Sequence, residues 1–433
     1  MGIDRSGYSQ AVKAKIVYAG SNNTSYEQAE ADLINLAELK VGDKQIRRVC
    51  KEIGDERRAE RDAEVAAYQA MPLAERKAVP AGVTAPKLAV VGVDGGRLQI
   101  IDRSAKTSDA VIEETAPADK PPAAEDGEER EDNGRHWRED KIGLLMTMSS
   151  EVSAVDPCPE IPETFVNPLR ILKLARELKK RVPAKEEAAK APPDLEAEQQ
   201  AYTENATKWE PPEVLEKRLV ATRRPWESFG PMVAAAAWLW GFFGAERRAF
   251  LGDGADNNWT LWRNHFSSFV PILDFIHALS YVFAAATTGR PFAEGWKIYV
   301  RWITWVWQGR VADVLVELEA RQSELGLPTE DEPAGSPRRI VAQALGYLRN
   351  NSERMKYAEY RQQGLPITTS YVESAVKQFN YRVKGTEKFW DEEGAEEMLQ
   401  LRADYLSHNQ PLAEFWKRRE SRESGQNRYR KAA

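Results

Sequence analysis

Three carboxylates stand out for where the sequence puts them. Asp94 follows the apolar run 87–93 (KLAVVGV) and precedes Gly95-Gly96, and Asp253 follows the run 248–251 between Gly252 and Gly254. Each is expected to end a short buried strand, a rigid perch beside which glycine lets backbone or phosphate come close. Glu373 falls one turn into a helix expected to start at Thr368-Thr369-Ser370. Its apolar face is Val372, Val376, Phe379 and Val383; Glu373, Lys377, Asn380 and Lys384 turn away from that face along one ridge. Three carboxylates converging without a cation repel, and at least one stays protonated. Two hard divalent cations, Mg²⁺ or Mn²⁺, resolve the conflict. Such a pair activates the attacking oxygen and stabilises the leaving oxygen of an in-line phosphoryl displacement. The chemistry expected of Asp94, Asp253 and Glu373 is therefore metal-dependent phosphoryl transfer, with Lys377 and Lys384 holding phosphates. Any one of these carboxylates alone is better explained as a turn residue or helix cap, and only the ordered trio shifts the balance. Asp274 also ends an expected strand and competes with Asp253 as second ligand, with Asp256 a weaker competitor; the glycine-flanked block favours Asp253. His277 reads either as a group standing with Asp274 behind the metal ligands, as a DNA contact, or as an ordinary core histidine.

These groups need a sheet to hold them. The run 97–101 (RLQII) reads as a hairpin partner of 87–93, and 141–148 (KIGLLMTM) as a third strand. Residues 164–180 have helical spacing, 183–210 are rich in Ala, Glu and Pro and read as a crossover, and 229–243 read as a helix. Short strands follow at 248–251 and 269–273. Three strands, a helix, then two strands separated by a helix is an order like that of ribonuclease H. The fold class expected is α/β, with a ribonuclease-H-like core interrupted by an all-α insertion. That insertion, 291–362, holds a tryptophan cluster (Trp296, Trp302, Trp305, Trp307) that suits a core better than a platform for a flipped base.

Ahead of the core, 25–39 and 44–53 read as two helices joined by a turn with Gly42, capped by Asp43 and stopped by Gly54. This matches a helix-turn-helix, whose second helix exposes Lys44, Gln45, Arg47, Arg48 and Lys51 to phosphates and base edges. An αα-hairpin with a solvated basic face has the same pattern. The net charge of −6 does not advertise nucleic-acid binding, but charge is uneven. Residues 109–140 carry twelve acidic against four Lys and Arg residues, which reads as an acidic loop at about 104–135. Residues 417–431 carry seven basic against two acidic residues, a tail suited to phosphate or a frayed end. Two distant cysteines and four histidines leave no thiolate zinc site. The opening MGIDRSGYSQ has no apolar stretch of a signal peptide, and the apolar run 232–244 is too short for a bilayer; a cytoplasmic, nucleoid-associated protein is expected.

The blocks VVGVDGGRLQ, FLGDGAD followed by ILDFIHAL, and GLPITTSYVESAVKQFNYRVKGTEKFW resemble the three catalytic blocks of bacterial insertion-sequence transposases of the Mutator-like superfamily, close to its Kra-type group. The resemblance runs from about Asp43 to Arg419, and the last block is the most specific. It implies that Asp94, Asp253 and Glu373 are the metal-binding catalytic residues, that the helical insertion between the second Asp and the Glu is part of the design, and that the chain acts on its element's inverted repeats and on target DNA as a homo-oligomer in a synaptic complex. Where the wider superfamily often has Cys-x-x-His, this chain has Asp274-Phe275-Ile276-His277. The expected organisation is 1–80 helical and DNA-binding (helix-turn-helix at about 25–54), 87–290 core, 291–362 insertion, 363–410 the core helices carrying Glu373, and 411–433 basic tail. A decayed, non-catalytic DNA-binding transposase and a nuclease that cuts without joining are the competing functions.

Overall fold

The structure, a computed structural model, describes residues 7–101, 135–177, 210–385 and 388–423. Nearly all of the expected acidic loop, the crossover up to residue 209 and the end of the basic tail lie outside the described residues. Six strands form one mixed, open sheet: β1 (Leu88–Ile101), β2 (Arg135–Ser149), β3 (Glu213–Thr222), β4 (Arg247–Gly252), β5 (Val270–Leu273) and the short β6 (Phe389–Trp390). Their order is β3-β2-β1-β4-β5, with β6 on β1. β2 is antiparallel to β1 and to β3, whereas β4 runs parallel to β1 and β5 parallel to β4. The helices in chain order are α1 (Gln10–Asn22), α2 (Tyr26–Ala37), α3 (Asp43–Ala70), α4 (Leu73–Arg76), α5 (Pro168–Glu177), α6 (Trp226–Leu239), α7 (Asp256–His265), α8 (Phe275–Thr287), α9 (Phe292–Trp307), α10 (Val311–Leu325), α11 (Pro337–Asn351), α12 (Tyr357–Gln362), α13 (Ser370–Val383), α14 (Glu392–Leu406) and α15 (Pro411–Glu423). The chain is thus mixed α/β.

The apolar start of β1, Leu88 to Val93, is buried on both faces, as a central strand under helices on either side must be. A side chain at Gly92 would meet Val372 of α13 at 2.4 Å, and one at Gly143 of β2 would meet Val233 of α6 at 2.9 Å. Because Gly143 pairs with Val93, α13 covers the face that Gly92, Asp94 and Gly96 share, and α6 covers the other.

Two strand expectations need correction. Asp94-Gly95-Gly96 is no hairpin turn: β1 continues through it, and 97–101 is its second half. β2 supplies an unbroken ladder across this stretch, Asp94 opposite Ile142 and Gly96 opposite Asp140, which keeps the glycines extended. Residues 141–148 are accordingly part of the second strand, and the third is β3, which was not anticipated. β3 is an edge strand whose outer half carries charge (EVLEKR), the usual way an edge is kept from pairing and the reason it lacks an apolar signature.

The N-terminal helices differ too. Gly42, not Asp43, is the cap of α3, and the Asp43 amide donates to Glu30 Oε2 at 2.9 Å. Gly54 does not stop α3; it lets α14 approach so closely that a Cβ there would stand 2.7 Å from Glu397 Cβ. α3 then runs on to Ala70, with Arg57 paired to Asp404 at 2.9 Å and Arg61 donating to Gln400 at 3.0 Å. One hydrophobic core extends from Ile16 of the unanticipated α1 to Phe415 of α15. The start of the expected tail is helical rather than frayed: Arg419 is buried between Glu52 and Glu56 of α3, Arg418 reaches Glu60, and Lys417 is exposed. Residues 291–362 contain only helices among the elements described. Trp302 and Trp307 are buried there, Trp307 donating to the Cys158 carbonyl at 2.7 Å, so the cluster serves the core. No helix among the described residues is long and apolar enough to cross a membrane.

Candidate active site

Asp94 sits in mid-strand on the α13 face, Asp253 one residue past the end of β4, and both line one open cavity of about 650 Å³. Asp253 is where the glycine-flanked block put it. Its Oδ1 accepts from the Asn258 side chain at 2.7 Å and from the Ala255 amide at 3.0 Å, and its carbonyl accepts from the Tyr347 hydroxyl. Neither Asn258 nor Tyr347 was anticipated. Tyr347 comes from α11, far along the chain, and no local pattern announces it. Asp94 Oδ1 accepts from the Gly95 amide at 2.7 Å.

Asp274 is fully buried and caps α8. Its Oδ2 accepts from the His277 amide at 2.9 Å and faces His277 Nδ1 at 2.7 Å; its Oδ1 accepts from the Thr369 amide at 2.7 Å. Thr369 is the residue before α13, so this one carboxylate fixes the histidine ring and the start of the helix carrying Glu373. Ligand atoms of Asp274, His277 and Glu373 lie within 4.8 Å of one another. Both Asp274 oxygens are engaged, one by His277 and one by the Thr369 amide.

The electrostatics tie the two groups together. Burial first, then the charges of Asp253 and Glu373, push the Asp94 carboxyl up to about 6, against the Gly95 amide and His277. Burial disfavours the His277 imidazolium, but the hydrogen bond and charge of Asp274, aided by Asp253 and Asp94, raise it to about 9. Asp94, Asp253, Glu373 and His277 therefore share one electrostatic neighbourhood, in which an imidazolium offsets part of the carboxylate repulsion. Carboxylate oxygens suit a hard divalent cation, but among the described residues the set whose ligand atoms lie within 4.8 Å of one another is Asp274, His277 and Glu373, and Glu373 does not line the cavity that Asp94 and Asp253 share.

Along α13, Val372, Val376, Phe379 and Val383 are buried as expected. Asn380 and Lys384 line the cavity with Asp94 and Asp253, whereas Lys377 is exposed but outside the lining. Of the α3 residues, Lys44 and Arg48 are exposed, Arg48 bonding Gln45 within the helix. Arg47 and Lys51 instead turn to α14, pairing with Asp391 at 3.0 Å and Glu393 at 3.1 Å. The five α3 residues lie away from the cavity that Asp94 and Asp253 share. No model of a known protein family matches the chain, and no curated protein matches it.

Proposed function

We propose that the chain is a metal-dependent DNA strand-transfer enzyme of the transposase kind, built on a ribonuclease-H-like core. The observation that carries the reading is the meeting of Asp94 and Asp253 at one open cavity within electrostatic reach of Glu373. The strand order supports it: three antiparallel strands, then two parallel to the first, with the reacting groups on the central strand, after its parallel neighbour and on a helix across the same face. Asp94, Asp253 and Glu373 would hold Mg²⁺ or Mn²⁺, which supplies an activated attacking oxygen and charge compensation at the leaving one. Asn258 and the Ala255 amide keep the Asp253 carboxylate in one orientation, and Asp274 does the same for the start of α13. Lys384, on the cavity rim, would hold a DNA phosphate. α2 and α3 would contact the element's ends as a helix-turn-helix, 291–362 would shape the DNA path, and a synaptic multimer would bring two ends together.

The test is strand transfer in vitro with duplexes carrying the sequences on either side of the reading frame, where this reading expects inverted repeats. The intact chain should release a 3′-hydroxyl and join it to target DNA only with Mg²⁺ or Mn²⁺. Asp94→Asn, Asp253→Asn and Glu373→Gln each remove charge while keeping shape. Losing several kcal/mol of metal-borne stabilisation should lower the rate on the order of 10³-fold, with DNA retention in gel shifts unchanged. Cutting without joining would make the chain a nuclease, and retention without either a DNA-binding protein. Substantial activity in Asp253→Asn would move the second ligand to Asp274.

A further inference from the structure

The helical stretch 291–362 meets the ends of β4 and β5 through three tyrosines. Tyr347 of α11 donates its hydroxyl to the Asp253 carbonyl at 2.6 Å, one residue past β4. Tyr357 of α12 donates to the carbonyl of Leu273, the last residue of β5, at 3.0 Å, and Tyr360 of the same helix to the Pro271 carbonyl at 3.3 Å. A buried tyrosine hydroxyl takes an acceptor wherever one lies near. Here all three acceptors are main-chain carbonyls of the two segments that lead into Asp253 and Asp274, and one of them belongs to Asp253 itself.

Tyr347 is itself fixed. Its ring stacks on Tyr281 of α8, with centroids 3.8 Å apart and planes at 16°. It also lies against Gly254, whose φ is +99° and where a Cβ would stand 2.5 Å from the ring and 2.7 Å from the hydroxyl. That glycine meets two demands at once: a positive φ that turns the chain after Asp253, and room for the ring. The Asp253 carboxylate is held from the start of α7, Oδ1 accepting from Asn258 and from the Ala255 amide. Oδ2 accepts no hydrogen bond from the described residues and is the oxygen left for a ligand. Asp253 is thus gripped at its carbonyl by α11 and at one carboxylate oxygen by α7.

We propose that Tyr347 is a positioning residue for Asp253: through it, the helical stretch 291–362 sets the peptide that follows Asp253 and so the direction of Oδ2. The proposal rests on the proposed function in taking Asp253 as a cation ligand. A small turn of one peptide moves a carboxylate oxygen by about an ångström, and misplacement on that scale weakens a metal site and slows the chemistry at it.

Tyr347→Phe keeps the ring and its stack and removes only the hydroxyl. Tyr360→Phe does the same at the Pro271 carbonyl, which carries no ligand, and is the control. Amide hydrogen exchange on the full chain without metal reads the Asp253 loop directly. The Ala255 amide donates to Asp253 Oδ1, and the Asn258 and Trp259 amides donate to the Ala255 carbonyl. Tyr347→Phe should exchange residues 254–259 about tenfold faster than the intact chain, with a melting point within a few degrees of it. Mn²⁺ binding, followed by electron paramagnetic resonance, should weaken by about tenfold in the same variant. Tyr360→Phe should leave both readouts as they are in the intact chain. Exchange at 254–259 that stays slow in Tyr347→Phe overturns the proposal. So does faster exchange with unchanged Mn²⁺ affinity, or an equal rise in Tyr360→Phe. An intact chain that binds no Mn²⁺ overturns the proposed function instead, and exchange without metal still decides whether Tyr347 holds Asp253.

Discussion

α3 and α13 share one sequence pattern, an apolar stripe beside a basic one, and the fold uses the two in opposite ways. On α13 the far end of the ridge, Asn380 and Lys384, borders the open cavity. On α3 the apolar stripe of Ile46, Val49 and Ile53 is buried as expected, but Arg47 and Lys51 lie against acidic residues of α14. Helical periodicity identifies the face that enters an apolar core. It does not say whether the polar face meets water, nucleic acid or another charged helix, since all three ask for the same residues. What separates the two cases is Asp391, 344 residues further along the chain from Arg47.

The largest effect is expected on the buried side of α13. Phe379 is fully buried, and Phe379→Ala should destabilise the chain by about 3–5 kcal/mol in chemical denaturation. A loss below about 1 kcal/mol would mean that α13 is held by its polar ends, the Asp274–Thr369 bond above all, and that its stripe matters no more than that of α3.

The same contrast explains how much the sequence revealed. α13 was legible because its signals are local: a capping run, a 3.6-residue period and a polar ridge in fourteen residues. The perch of Asp253 was legible because β4 is short, apolar and followed by Gly-Asp-Gly. Three things were not. Asp94-Gly95-Gly96 looks like a turn, and only the ladder from β2 makes it strand. Asp140 closes an acidic stretch that reads as solvated loop, and only pairing with Gly96 buries it. Gly54 looks like a stop, and only the approach of α14 makes it a contact. In each case the deciding partner is remote, which is the general limit of reading a fold from local pattern.

A second prediction concerns the α3–α14 contact itself. Glu397, under Lys51 and against Gly54, is pushed up to about 7, first by burial and then by Asp55, with Lys51 opposing. A carboxyl raised above its usual value of 4.5 favours the fold while protonated. Its contribution is therefore fully present below about pH 4.5 and lost as pH rises through about 7, an effect of about 2 kcal/mol. Glu397→Gln should match the intact chain at pH 4 and exceed its stability by about that amount at pH 8. Parallel stability–pH curves for the two chains would show that Glu397 titrates as an ordinary exposed carboxyl and that α14 does not seal this face of α3.

On the open side of the comparison, Lys377→Ala with Lys384→Ala should shift the melting point little, because both side chains are exposed. Strand transfer should fall by about tenfold or more as a phosphate loses its position. Only Lys384 lines the cavity, so Lys384→Ala alone should account for most of the loss. Equal contributions from the two lysines would mean that DNA runs along the whole ridge rather than across its end.

The smallest effect on stability, and the sharpest division between the two helices, is expected from the α3 basic residues. The Arg47–Asp391 and Lys51–Glu393 pairs are exposed on both sides, and such pairs contribute about 0–1 kcal/mol. Arg47→Ala should therefore melt within a few degrees of the intact chain, whereas Lys51→Ala should melt earlier than that at neutral pH, because Lys51 also stands 3.5 Å from the buried Glu397. If α3 enters a major groove, its basic residues must leave α14 for phosphate, and removing one phosphate-bound cation lowers the salt slope of binding by about one. Lys44 and Arg48, already free of α14, should lower affinity for the element's ends when replaced by Ala, whereas Arg47 and Lys51 should contribute only if the α14 pairs open. Asp391→Asn separates these cases: it removes the charge that holds Arg47, while asparagine can still accept from the Gly394 amide and cap α14. Tighter end binding with a steeper salt slope would show that α14 holds part of the recognition face in reserve. Unchanged binding in all five variants would remove α3 from the DNA interface and leave α13 as the helix whose basic stripe meets nucleic acid.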